Sequence, residues 1–191
     1  MTGRTHDLAA FTALNVVLIT QPIPDLSLST ALVTLGACFI GGLAPDIDNS
    51  TSKFWQKIPA GTFIGQVLHP LIGGHRLISH SILGLVIVGW LVNYLLGLAS
   101  STLLVNMTIV WWSFMIGYLS HLLMDSLTTE GVPLLFPIPI RLGFPPLKSL
   151  RFKTGGFLEK FLIFPGLLIL NGYLFYNYYQ FYLNFIYKLI K

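Results

Sequence analysis

Charged residues are scarce in this sequence. Of its 191 residues, 11 are Lys or Arg and 7 are Asp or Glu, so that only 9% are charged. A soluble domain carries roughly 25% charged residues, and a surface this poor in charge cannot stay hydrated. The scarcity excludes a soluble globular domain, a disordered chain and a coiled coil, and it predicts an integral membrane protein.

Cysteine is almost absent as well. The single cysteine, Cys38, excludes an intramolecular disulfide and a structural zinc site built from several thiolates. Apolar side chains are abundant instead, because 54% of the residues are hydrophobic and 14% are aromatic. At this length the composition predicts one compact unit, a single membrane-embedded domain over residues 1–191.

Five segments approach the length of about 20 mostly apolar residues that a transmembrane helix needs. They are Leu8–Thr20, Leu28–Ala44, Ile82–Ala99, Leu103–Met124, and a fifth that runs from Phe157 through Leu174 into an aromatic tail, Tyr173–Tyr187. The first is short unless the preceding turn through Thr5 and His6 is helical too. The predicted fold class is therefore all-α, an integral membrane helical bundle of about five transmembrane helices.

The distribution of cations predicts the orientation of this bundle. With five crossings, one face receives the N-terminus and the loops 46–81 and 126–156, and the other receives two short turns and the C-terminus. The first face, with the polar start of the fifth helix, holds nine cations, Arg4, Lys53, Lys57, Arg76, Arg141, Lys148, Arg151, Lys153 and Lys160, and the second holds Lys188 and Lys191. The positive-inside rule makes the first face cytoplasmic, in a multi-pass protein of the cell inner membrane. We expect no nucleic-acid partner, because the net charge of +4 is then a topology signal.

Several ionisable residues at the helix ends gather on this same face. They are His6, Asp46, Asp48, His75, Arg76, His80, His121 and Asp125. His121 and Asp125 are four residues apart, which places their side chains on one helical face with about 5–6 Å between Cβ atoms. Because ionisable groups close to hydrocarbon are costly, the convergence predicts a functional site.

Imidazole and carboxylate groups together are ligands of zinc, manganese and iron. We predict one or two divalent ions, zinc in the first place and manganese or iron as alternatives. The predicted ligands are His6, Asp46, Asp48, His80, His121 and Asp125, and the sequence leaves open which of the two acids after Pro45 binds directly. His75 is the predicted general acid or base, and Arg76 the clamp on an anionic group. Glu159 is interpreted as an acid at a helix N-terminus rather than a catalyst.

The same blocks carry a resemblance to a known family. In order along the chain they are Thr5-His6, Pro45-Asp46-Ile47-Asp48, His75-Arg76 with Ser79-His80-Ser81, and Gly117-Tyr118-Leu119-Ser120-His121 running through Asp125 to Pro137. They resemble the YdjM-like family of bacterial and archaeal membrane-bound proteins described as metal-dependent hydrolases. The resemblance covers about residues 1 to 160 and implies that activity without naming a substrate. The His121–Asp125 pair is also loosely similar to that of zinc-dependent phospholipase C and P1-type nucleases.

Three functions are compatible with these features. We predict a membrane-bound metal-dependent hydrolase acting on a phosphoester or lipid-like substrate at the cytoplasmic face, since paired metal ions are typical of such enzymes. The apolar loop Val132–Leu147 would lie in the interface, so membrane lipids and a small or lipid-like substrate are the expected partners. A transporter or channel is the alternative, although transporter sites lie near mid-membrane on broken helices. The third is a non-catalytic scaffold in which a metal ties helices together.

Overall fold

The computed structural model describes residues 1–21, 26–48, 78–138 and 140–190. Their main elements are six α-helices: α1 (Gly3–Thr20), α2 (Leu28–Leu43), α3 (Ile82–Ala99), α4 (Met107–Ser126), α5 (Phe164–Asn177) and α6 (Tyr179–Ile190). Short 3-10 turns occupy Ala44–Asp48 and Lys148–Leu150, and a π-helical turn, Glu159–Ile163, leads into α5. Within the described residues the β-type pairings are two isolated bridges, so the all-α class is confirmed.

Three of these helical segments are long and apolar enough to cross a membrane. They are Leu28–Ile47, which is α2 continued through its 3-10 turn, Ile82–Ala99 and Met107–Ser126. The pair Glu159–Asn177 and Tyr179–Leu189 is a fourth candidate, bent by 76°. The sequence-based number of about five is therefore approximate. Helix α1 falls outside this set, and it carries Arg4, His6 and Asp7 in its first two turns.

Polar caps fix where the helices begin. The fourth helix starts at Met107 rather than at the predicted Leu103, because Asn106 Oδ1 accepts the N–H groups of Thr108 and Ile109 at 3.1 and 3.2 Å. Ser81 caps α3 in the same way, by accepting the Gly84 N–H at 3.1 Å. Helix α1 begins at Gly3, so the turn that contains His6 is helical and the first segment is longer than its apolar part.

Glycines allow α2 and α4 to pack with their backbones almost in contact. A Cβ at Gly117 would lie 2.0 Å from the Cys38 carbonyl oxygen, and a Cβ at Gly41 would lie 2.0 Å from the carbonyl oxygen of Phe114. Small residues are used for such close approach between helices in membranes. The contact brings the C-terminal end of α2 directly beside the last turns of α4.

Contacts between the helix ends show which of them lie together at each end of the bundle. Far from the ionisable residues, Ser29 Oγ at the start of α2 donates to the Leu104 carbonyl, and the Asn106 N–H donates to Thr30 Oγ1. The start of α2 therefore lies beside the start of α4. The end of α2, the end of α4, the start of α1 and the turn before α3 all meet at the opposite end of the bundle.

A buried polar network joins α1 to the bent pair α5 and α6. Asn171 Nδ2 donates to Thr12 Oγ1 at 2.6 Å, and Asn15 Nδ2 donates to Asn171 Oδ1 at 3.3 Å. The Tyr182 hydroxyl donates to Asn15 Oδ1 at 2.6 Å. Because polar side chains in an apolar surrounding need partners, these bonds fix the register of α1 against α5.

Candidate metal centre

The last two turns of α4 supply an imidazole and a carboxylate on one face. His121 and Asp125 are both buried, and the Nε2 atom of His121 lies 3.6 Å from Oδ2 of Asp125. The backbone carbonyl of Asp125 accepts the N–H and the hydroxyl of Thr128 at 3.0 and 2.8 Å, which fixes the chain where α4 ends. The predicted i, i+4 pair is thus formed and faces the interior.

Helix α1 brings a second histidine against this pair. The His6 ring stacks on the His121 ring with centroids 3.8 Å apart and planes 8° from parallel. Its Nε2 atom lies 3.1 Å from Asp125 Oδ1, an oxygen that the backbone nitrogen of Met1 also contacts. His6 is 2% exposed, so the helical first turns of α1 deliver an imidazole into the interior.

Asp46 and His80 approach from the other side. Asp46 Oδ1 in the 3-10 turn after α2 is 3.8 Å from His121 Nε2 and 4.0 Å from His80 Nε2. His80 Nε2 also lies 3.7 Å from Asp125 Oδ2. His80 occupies the turn that precedes Ser81, the N-cap of α3, and it is fully buried. Asp46, with 25% of its side chain exposed, is the more accessible side of the cluster.

The backbone of α2 orients His121. Its Nδ1 atom is 2.7 Å from the Gly42 carbonyl oxygen, which can only accept, so in a neutral ring the proton is on Nδ1. The lone pair is then on Nε2, which faces Asp46 and Asp125. Among the described residues, none forms a hydrogen bond with this buried Nε2 atom. A backbone carbonyl behind a histidine is the usual support of a metal-ligating imidazole.

Residues of α4 and the turn before α3 hold His80. Ser79 Oγ lies 3.1 Å from His80 Nδ1, and the hydroxyl of fully buried Tyr118 donates to the Ser79 carbonyl. The Ser81 hydroxyl donates to the Ile78 carbonyl at 2.6 Å. Tyr118 is one turn before His121 on α4. One face of this helix therefore carries both His121, a ligand candidate, and Tyr118, which supports the turn that holds His80.

The donor atoms form two overlapping groups suited to a metal ion. His6, His121 and Asp125 form one group, and Asp46, His80 and His121 form the other, with the ligand atoms of each group within 4.8 Å of one another. Two ligand atoms on one tetrahedral zinc ion lie about 3.4 Å apart. The distances of 3.6 to 4.0 Å from His80 and His121 to the carboxylates are too long for hydrogen bonds and close to that spacing, whereas His6 is within hydrogen-bond distance of Asp125 at 3.1 Å. The residues therefore fit a divalent cation.

The structure brings five predicted ligand candidates together: His6, Asp46, His80, His121 and Asp125. The Asp48 side chain, His75 and Arg76 lie outside what the structure describes, so their roles stay predictions. Two contributors could not be read as such from the sequence: the Gly42 carbonyl and Tyr118. Tyr118 alone left a signal, because its spacing of three and seven residues from His121 and Asp125 places it on the same helix face.

These observations define an all-α membrane protein with a buried cluster of histidines and aspartates at one end of its bundle. The chain belongs to the YdjM inner membrane protein family, whose model matches residues 1–184. This confirms the family resemblance and the expectation of an inner-membrane protein.

A relative and the known structures add the following. The chain is 31% identical over 175 residues to the "Uncharacterized protein YvsG" of Bacillus subtilis (strain 168), and the match covers 92% of this chain and 94% of the relative. No solved structure matches the chain. The looser similarity to zinc-dependent phospholipase C and P1-type nucleases is not shown by these comparisons.

Proposed function

We propose that this chain is a membrane-bound metal-dependent hydrolase that acts on a phosphoester or lipid-like substrate at the cytoplasmic face of the inner membrane. The observation that carries the proposal is the His121 imidazole. Its Nδ1 atom is fixed by the Gly42 carbonyl, and its buried Nε2 faces two carboxylates without a hydrogen bond from any described residue. Such an atom suits a metal ion, and zinc is the first choice for the donor set.

The chemistry follows from the ligand set. A divalent ion in this place would supply a hydroxide nucleophile near neutral pH and would stabilise negative charge on a phosphoryl group. His6, His80 and His121, with Asp46 and Asp125, are the residues proposed to hold one or two such ions. His75 remains the proposed general acid or base and Arg76 the proposed clamp on the anionic group of the substrate.

The loop beside the site supports an amphiphilic substrate. The Leu134 carbonyl accepts the Ile82 N–H at 3.0 Å, which ties the loop to the start of α3 close to His80. Further along, Ile138, Phe144 and Leu147 are 50 to 66% exposed. The Arg151 guanidinium donates to the carbonyls of loop residues 143, 145 and 146. A fixed, exposed apolar loop of this kind fits an interfacial position from which a lipid could enter.

The position of the cluster favours hydrolysis over transport. His6 lies in the second turn of α1, Asp46 beyond the end of α2, His80 before α3 and Asp125 in the last turn of α4. Transporter sites lie near the middle of the bilayer at broken helices, whereas these residues are at helix ends. A metal that only ties the helices together is distinguished from a hydrolytic one by the activity assay below.

The test uses the full chain purified in detergent without chelators. We expect about one or two equivalents of bound transition metal and hydrolysis of a chromogenic phosphodiester or a fluorescent phospholipid. His121→Ala and Asp125→Asn should lose both metal and activity. Lys188→Gln, which removes a charge from an exposed side chain near the end of α6, should keep both.

Three outcomes would contradict the proposal. Unchanged metal content in His121→Ala and Asp125→Asn would remove the metal site. Bound metal without hydrolysis of either substrate class would favour the scaffold. Metal-dependent flux in proteoliposomes, again without hydrolysis, would favour the transporter.

A further inference from the structure

Glu159 is a buried carboxylate that the proposed hydrolytic chemistry does not use. It begins the π-helical turn before α5 and is 1% exposed. A carboxylate in such a place is costly unless it accepts several hydrogen bonds. Its partners therefore indicate what it does.

Both oxygens of Glu159 accept hydrogen bonds, mostly from the start of α1. Oε1 accepts the Thr2 N–H at 2.7 Å, the Thr2 hydroxyl at 2.8 Å and the Thr5 hydroxyl at 2.7 Å. Oε2 accepts the Gly155 N–H at 2.8 Å, at a residue whose φ of 69° favours glycine. Three of the four donors are more than 150 residues away in the chain.

This carboxylate holds the start of α1, where the N-cap side chain makes no capping bond. Thr2 is the N-cap of α1, and its side chain makes no capping bond to the N–H groups of the helix. Instead, Glu159 places a negative charge at the positive end of the helix dipole and fixes the backbone of Thr2. The Thr2 carbonyl in turn accepts the backbone N–H of His6 at 3.1 Å. A short chain of bonds thus connects Glu159 to the backbone of His6.

We propose that Glu159 is a positioning residue for His6. By holding Thr2 and Thr5, it keeps the first turns of α1 helical and the His6 imidazole stacked on His121 and next to Asp125. Glu159, which supports the α1 residue His6, therefore belongs to the segment that leads into α5. His121 is positioned independently of it, because its support is the Gly42 carbonyl at the end of α2. The importance of His6 as a ligand rests on the proposed function, but its positioning can be measured without metal.

The experiment measures the accessibility of two histidines in the same molecule. The full chain in detergent is freed of metal with EDTA and treated with diethyl pyrocarbonate, and the modification rates of His6 and His121 are followed by mass spectrometry. In the wild type both rings are protected by burial. We expect Glu159→Gln to raise the rate at His6 about tenfold while changing the rate at His121 less than about twofold, as for a local opening. Lys188→Gln, which removes a charge from an exposed side chain near the end of α6, is the control and should change neither rate.

Thr5→Val provides a second variant that keeps the shape of the side chain. It removes one of the three donors to Oε1, so the rate at His6 should rise less than in Glu159→Gln and again without a rise at His121. An unchanged rate at His6 in both variants, or parallel increases at His6 and His121, would overturn the positioning role.

A metal titration separates this inference from the proposed function. Cobalt(II) affinity is measured for the wild type, Glu159→Gln, His6→Ala and the double variant. If Glu159 acts through His6, Glu159→Gln weakens binding in the wild type and has no further effect in His6→Ala. An equal loss in both backgrounds would contradict the inference. If the wild type binds no cobalt, the proposed function is contradicted. The positioning role of Glu159 is still decided, because the modification rates at His6 test it separately.

Discussion

Nδ1 of His121 lies 2.7 Å from the carbonyl oxygen of Gly42. This contact joins the two most closely packed helices and turns the opposite ring nitrogen toward Asp46 and Asp125. It depends on α2 and α4 lying almost backbone to backbone, which Gly41 and Gly117 permit. The close packing of α2 and α4 therefore also decides how His121, the candidate ligand, is oriented.

The first prediction tests this coupling with Gly117→Ala. The added Cβ would lie 2.0 Å from the Cys38 carbonyl oxygen, so α2 and α4 must separate. We expect a loss of about 1–3 kcal/mol in stability, as for overpacking, and weaker metal binding because the Gly42 carbonyl moves away from His121. Thermal unfolding in detergent and a cobalt titration measure both effects.

Gly36→Ala is the control for this change. Gly36 lies in α2, the other helix of this pair, and nothing lies within 4 Å of an added Cβ. Affinity should stay at the wild-type level, and stability should not fall, because alanine favours a helix over glycine by about 1 kcal/mol. A Gly117→Ala protein with unchanged affinity would show that the α2–α4 contact does not orient the ligand.

The second prediction concerns the order in which histidine variants lose metal. His121 belongs to both candidate groups, whereas His6 and His80 belong to one each. His121→Ala should therefore lower the ratio of metal to protein more than either His6→Ala or His80→Ala. Elemental analysis of the three variants gives this order. Equal and complete loss in all three would indicate a single ion held by every histidine.

The third prediction is that Tyr118→Phe weakens the site without removing a ligand candidate. The hydroxyl of this buried side chain donates to the Ser79 carbonyl, next to His80. Removing the donor from a buried carbonyl costs about 1–3 kcal/mol, and the turn that holds His80 loses a support. We expect a lower unfolding temperature and a larger Kd for cobalt.

Tyr94→Phe removes the same hydroxyl from a side chain of α3 that is 55% exposed. It should leave the unfolding temperature and the Kd unchanged. If Tyr118→Phe behaves like this control, the hydrogen bond to Ser79 does not hold the site.

The fourth prediction concerns removal of the metal. A ligand that binds only the folded state stabilises it by about 2.7 kcal/mol when its free concentration is roughly 100 times its Kd. EDTA should therefore lower the unfolding temperature of the wild type, and added zinc should restore it. In His121→Ala, EDTA should have little effect. An equal response of both proteins to EDTA would place the effect outside this cluster.

The sequence predicted which ionisable residues lie together better than it predicted the helix boundaries. The cluster of His6, Asp46, His80, His121 and Asp125 followed from counting apolar segments, because an up-and-down path sends alternate helix ends to the same face. The start of the fourth helix was wrong by four residues, since the capping side chain of Asn106 decides it and hydrophobicity does not. The bend between α5 and α6 was likewise invisible in a continuous apolar and aromatic stretch.

Composition and the spacing of polar residues by themselves determined that this is a helical membrane protein in which several histidines and aspartates meet at one end. Both are local properties, set by the cost of placing charge and backbone polar groups in hydrocarbon. Only the tertiary structure decided which backbone and side-chain groups support the histidines. The Gly42 carbonyl has no sequence signature, and Glu159 reaches Thr2 across 157 positions. Such partners are chosen by the close packing of helices, which brings together groups that the order of the sequence keeps apart.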